Sequence, residues 1–203
     1  MNDKMVLPVT DAEERAPLST DAPRATVAFG TYASTAAQTT VSVDASGTND
    51  GSALIGARAA TRSCHDVAAY ILAKCGAMSA MKLQKLLYYC QAWSLVWDER
   101  ALFSERIEAW ANGPVVPAVF AGHRGEYLVS TWPAGNPDTL DAAARDTVDA
   151  VLTYYADRSP QWLSDLAHSE RPWQLARQGL PEGERGSREI TLASMAEYYT
   201  SLE

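Results

Sequence analysis

Met81-Lys82-Leu83-Gln84-Lys85-Leu86-Leu87-Tyr88-Tyr89-Cys90-Gln91-Ala92-Trp93-Ser94-Leu95-Val96-Trp97 decides the architecture. From Leu83 onward only Gln84, Lys85, Gln91 and Ser94 are clearly polar, so the segment predicts a helix that is apolar on nearly every side. Such a helix belongs at the centre of a bundle, packed on more than one partner. Ser79 stands where an N-cap is needed, and the pattern runs to about Asp98. The uncharged apolar run, residues 86–97, falls short of the roughly 18 residues that cross hydrocarbon.

Upstream, Ser63-Cys64-His65-Asp66 has the form of a capping box. Val67, Ala68, Ile71, Leu72 and Cys75 follow at helical spacing, and Gly76 stops that helix. Downstream, Leu102-Phe103 and Ile107-Glu108-Ala109-Trp110 alternate briefly before Asn112-Gly113-Pro114-Val115-Val116-Pro117, where Gly113-Pro114 reads as a turn feeding a short helix to about Gly122. Asn136-Pro137-Asp138 opens a helix with Leu140, Ala144, Val148, Val151, Leu152 and Tyr155 on one face. Ser159-Pro160 starts another, Pro172-Trp173 a short one, and Thr191 caps a last helix carrying Leu192, Met195 and Tyr199. Glu189-Ile190 is a candidate strand. The expected class is mainly all-α: a compact bundle of six to seven helices around a central hydrophobic helix, with at most one short two-stranded β ribbon.

Residues 1–62 differ in texture. Ala, Thr, Ser, Asp and Gly dominate, and Phe29 and Tyr32 are the only aromatics. Such a segment cannot bury enough surface to offset roughly 1–2 kcal/mol per residue of ordering entropy, so it reads as a low-complexity, disordered leader before a domain over 63–203. Five basic against seven acidic residues make it no basic nucleic-acid arm. The 203-residue chain carries a net charge of −8, which argues against a phosphate-binding surface. Nucleic acid is therefore not an expected partner, and with no apolar run long enough to span a bilayer no membrane is expected either. The three cysteines lack C-x-x-C spacing and fall in helical patterns, which suggests thiols in a reducing cytoplasm.

No nucleophile, base and oxyanion donor assemble from the sequence, and no catalytic, cofactor-binding or metal site is expected. His65 follows Cys64 directly, so the two point about 100° apart on a helix and do not share a proton readily. His123 and His168 lack an i, i+4 histidine partner. Asp138, Asp141, Asp146 and Asp149 suit a helix N-terminus and a solvated face better than a carboxylate centre. Two features bear on the question of a partner. Gln84, Tyr88 and Gln91 form a polar line on the central helix, with Lys85 and Tyr89 beside it. These groups either hydrogen-bond neighbouring loops or meet another protein, and the residues alone leave both open. The second is the rigid turn beside Trp110, which makes either a shallow aromatic groove or a bundle corner.

The block from Met81 to Trp93, followed by Leu102-Phe103 and by Ile107-Glu108-Ala109-Trp110-Ala111-Asn112-Gly113-Pro114-Val115-Val116-Pro117, resembles the Panacea domain, the SocA-like antitoxin family that also includes phage-associated GepA-like proteins. His168-Ser169-Glu170 before Pro172-Trp173 fits the same family, and the resemblance spans roughly residues 64–200. It implies a non-enzymatic, cytoplasmic antitoxin without cofactor. Its partner is a cognate toxin encoded next door, blocked directly or delivered by this chain, as a proteolytic adaptor, to a ClpX-type unfoldase and its protease. Lys82, Gln84, Lys85, Tyr88, Gln91, Trp110, Asn112, Gly113 and Pro114 are the expected partner-binding residues. Alanine at Gln84 and Gln91 is expected to weaken toxin neutralisation without lowering the melting temperature. The rival readings are a cysteine-dependent hydrolase built on Cys64 or Cys90 and a DNA-binding autorepressor.

Overall fold

A computed structural model describes residues 62–181 and 183–202. The leader expected over 1–62 lies outside the described residues except for Arg62. That residue is buried: its Nε donates to the Leu102 carbonyl at 3.2 Å and its guanidinium pairs with Asp141 at 3.0 Å.

Helix α1 (Cys64–Cys75) starts on a closed capping box, with the Asp66 N–H donating to Ser63 Oγ while the Asp66 carboxylate accepts from the Ser63 N–H. Gly76 ends it at φ +73°, a conformation that favours glycine. Strand β1 (Met78–Ser79) leads into α2 (Ala80–Trp97), whose first turn is capped by Ser79. Every residue of α2 from Leu83 to Ser94 is buried, so it is the central helix that the sequence anticipates. It packs against α1, α4 (Ala142–Tyr155), α5 (Pro160–Ser169) and α7 (Leu192–Thr200). Helices α3 (Pro117–Gly122) and α6 (Arg171–Arg177) complete seven α-helices among the described residues, and the fold is mainly α.

The β structure exceeds one ribbon. Strands β2 (Ile107–Trp110) and β3 (Gly113–Val115) form an antiparallel hairpin, and β5 (Glu189–Ile190) adds to the other edge of β2, giving the order β3-β2-β5. A separate pair joins β1 to β4 (Leu128–Val129), with Met78 opposite Val129. Two-residue strands carry no alternation that a sequence pattern exposes, and their partners lie far along the chain.

Two helix starts move for local reasons. Gly113-Pro114 does not open α3; it lies in β3, with Pro114 opposite Ala109, and the helix waits until Pro117. Asn136-Pro137-Asp138 makes only a 3-10 turn, Pro137–Thr139. Leu140 is then extended, and Asp141 caps α4 by accepting from the Ala144 N–H at 2.9 Å. The carboxylates singled out on this segment serve structure: Asp141 takes a two-pronged pair from Arg100, and Asp149 holds Lys74 and the Tyr70 hydroxyl. Asp138 lies 3.7 Å from the Arg145 guanidinium.

Candidate functional site

The polar line on α2 splits by direction. Gln91 is wholly buried, accepting from the N–H groups of Leu102 and Phe103 and donating to the Phe103 carbonyl at 3.1 Å. It is a clamp on the loop after α2. Tyr88 is also fully buried, edge-on to Tyr89 and Tyr199. Neither side chain reaches a protein surface, so both are corrected from partner contacts to parts of the core. The alanine expectation at Gln91 changes with them, because removing a buried amide strands three backbone groups.

Gln84 and Lys85 turn toward the β2–β3 hairpin. The Val116 N–H donates to Gln84 Oε1 at 2.7 Å, which leaves Gln84 Nε2 to face His123 Nε2 at 2.9 Å. His123 Nε2 must then accept, so the ring is neutral with its proton on Nδ1. Burial holds the His123 pKa below the usual histidine range, in agreement. Lys85 is 1% exposed and donates to the Pro114 carbonyl at 3.1 Å. Among the described residues no carboxylate stands within ion-pair distance of it. Burial alone pulls its pKa down to about 7.

Trp110 is held from both sides of its residue. Its indole N–H donates to the buried Glu108 carboxylate at 2.7 Å, and its carbonyl accepts from the Trp173 indole at 3.0 Å. Its ring meets Phe120 edge-on at 4.7 Å. Gly113 closes the hairpin at φ +97°, and a Cβ there would lie 2.7 Å from Lys85 Nζ and 3.6 Å from His168 Nε2. The positive φ favours glycine at this position, and a side chain there would also push the end of Lys85 aside. His168 stacks on Trp173 at 4.1 Å, and its buried Nε2 has no hydrogen-bond partner.

Some of these groups line an open cleft of about 370 Å³. Gln84, Lys85, Trp110 and Asn112 of the expected set line it, together with Phe120, His123 and Arg185, which the sequence reading passed over. Gly113 and Pro114 stand behind it, as the hairpin backbone on Lys85. Lys82 is partly exposed on the first turn of α2 and is not among the cleft's lining residues. His123 was set aside as isolated in sequence; the signal that reaches it, a glutamine on a buried helix needing a partner, does not say which residue supplies one.

The described residues lend the cysteine-dependent rival no activated thiol at Cys64 or Cys90. Burial pushes the thiols of Cys64 and Cys90 far above the usual cysteine range, so neither is a ready thiolate. His65 accepts from the Trp132 indole at 3.1 Å and stacks on that ring. Among the described residues no helix is long and apolar enough to cross a membrane.

Residues 83–174 match the family model described as antitoxin SocA-like, Panacea domain. The segment takes in α2 from Leu83 onward, the hairpin, the cleft's aromatic wall and the α5–α6 corner, a narrower span than the 64–200 resemblance read from the sequence. No curated protein and no solved structure matches the chain. The Panacea match supports an antitoxin-family role in general, and with it a toxin as the general kind of partner.

Proposed function

We propose that the protein is a non-enzymatic cytoplasmic antitoxin that neutralises a cognate toxin, encoded next door, by binding it across the cleft between α2 and the β2–β3 hairpin. The observation that carries this reading is the convergence, inside the segment matching the Panacea domain, of Gln84, Lys85, Trp110 and Asn112 on one cleft. Lys82 and Asn112 offer polar contacts at the surface, while Trp110 offers an aromatic anchor already fixed by Glu108, the kind of rigid group that dominates interfaces. Gly113 and Pro114 hold the hairpin that presents it.

Direct blocking is favoured over delivery to a ClpX-type unfoldase, because an ordered cleft suits a stable complex. The test is co-expression with the product of the adjacent gene. Growth is expected to return with the wild-type chain, and purified proteins are expected to co-elute without any protease. A product that is harmless alone, or lethal beside this chain, overturns the antitoxin reading; rescue that vanishes in a host lacking the protease restores the adaptor route.

A further inference from the structure

Glu170 joins α5 to α6, closing the first helix and preceding the second in extended backbone. It is 4% exposed, and among the described residues no cation stands within ion-pair distance of its carboxylate. The groups that face it are phenols. Tyr199 of α7 donates to it at 2.7 Å, and the hydroxyls of Tyr88 and Tyr89 of α2 lie beside it with no other partner. Tyr155 of α4 and Tyr198 of α7 stand within reach of its charge. Nearby cationic groups turn elsewhere: His168 stacks on Trp173, Arg171 is exposed, and Lys85 donates to Pro114. A carboxylate in such a box is desolvated without a counter-charge, so it holds its proton.

Ionisation therefore favours any opening that lets water reach this corner. The short element there is α6, seven residues long, and it grips the strand that carries the cleft's tryptophan. The Trp173 indole donates to the Trp110 carbonyl at 3.0 Å, and Arg177 donates to the Ala109 carbonyl at 3.1 Å. Both carbonyls belong to β2, and Trp110 lines the cleft. We infer that Glu170 is a proton-dependent latch, which seats α6 on β2 when neutral and, when charged, frees α6 and with it the Trp110 wall of the cleft. The latch rests on this corner alone. Its consequence, that partner binding weakens as pH rises, rests on the antitoxin reading.

Hydrogen exchange in the full chain, read by mass spectrometry over residues 107–110 and 171–177, tests the latch in wild type and Glu170→Gln at pH 6 and pH 8.5. Both proteins are compared at the same pH, so the intrinsic rise of exchange with pH cancels. The titration of Lys85, which both retain, cancels with it. From pH 6 to pH 8.5 the wild-type-to-variant ratio of exchange rates is expected to grow ~10-fold or more in both segments. A ratio that stays constant, or growth confined to α7, overturns the latch. Should Glu170→Gln misfold, Tyr199→Phe decides: it deprives the charged form of a donor, so its exchange in both segments should climb more steeply with pH than that of wild type. An equal climb in the two proteins overturns the latch as well. Partner affinity at the same two pH values separates the claims. A neighbouring gene product bound equally at both, with the exchange result standing, defeats the consequence for the partner and leaves the latch and the antitoxin reading intact; a product that never binds defeats the antitoxin reading.

Discussion

Glu170 is the residue whose environment most shapes the response to pH. It is fully buried at the α5–α6 corner, accepts from the Tyr199 hydroxyl at 2.7 Å, and has the buried hydroxyls of Tyr88 and Tyr89 beside it. Burial pushes its carboxyl up to about 8. A carboxyl raised in the folded state binds a proton that the unfolded chain has already released, so it withdraws stability as pH rises from 4.5 toward 8. Glu170→Gln, which mimics the neutral acid, should melt like wild type at pH 4.5 and above it at pH 8, with the gap widening between; thermal denaturation across that range checks this. Lys85 works in the opposite sense. Its folded pKa is lowered from 10.5 to about 7, so its charging penalty is complete below about 7 and fades as pH climbs to 10.5. Lys85→Met should therefore gain on the order of 1 kcal/mol at neutral pH and lose that advantage in alkali. A fall in stability at pH 7 would show that the Pro114 hydrogen bond outweighs the buried charge. Gln91→Ala should cost about 1–3 kcal/mol, measured by urea unfolding, because the N–H groups of Leu102 and Phe103 lose their acceptor.

Among elements, the β2–β3 hairpin is the one on which the site depends. Gly113→Ala forces a side chain into a positive-φ position and toward Lys85 Nζ at 2.7 Å. A loss of roughly 1–3 kcal/mol is expected, with the cleft distorted as well as the fold weakened. Unchanged melting would mean that the hairpin yields more readily than its contacts suggest. Helices were largely legible from sequence because their signals are local. Ser63 with Asp66, Ser79, Ser159 with Pro160, and Thr191 each cap the helix they precede. β3 was not legible, since a strand made of Gly113-Pro114-Val115 contradicts the usual exclusion of proline and glycine from strands. β1 and β4 are two residues each and exist only through pairing across the chain. The candidate site was legible in part for a similar reason. On a helix buried all round, residue type shows that Gln84, Lys85, Tyr88 and Gln91 need partners, but only packing decides that Gln84 and Lys85 turn to the hairpin and Gln91 to the following loop.

For the molecule as a whole, charge and site stand in contrast. The net charge of −8 sets up a field that favours a basic partner at long range, while the cleft's walls are largely apolar. Association with a basic toxin should slow steeply as salt rises toward 0.15 M, where screening acts over about 8 Å, whereas dissociation governed by the cleft should change little. Stopped-flow mixing at several salt concentrations separates the two rates; a dissociation rate that tracks salt as closely as the association rate would place the binding energy at the charged rim. Of six tryptophans in the chain, Trp110 is the one that lines the cleft, and its indole is pinned to an anionic carboxylate rather than to water. The protein consequently has a built-in optical gauge: whatever enters the cleft alters the emission of that ring, and subtracting the Trp110→Phe spectrum isolates its signal from the other five without any attached dye.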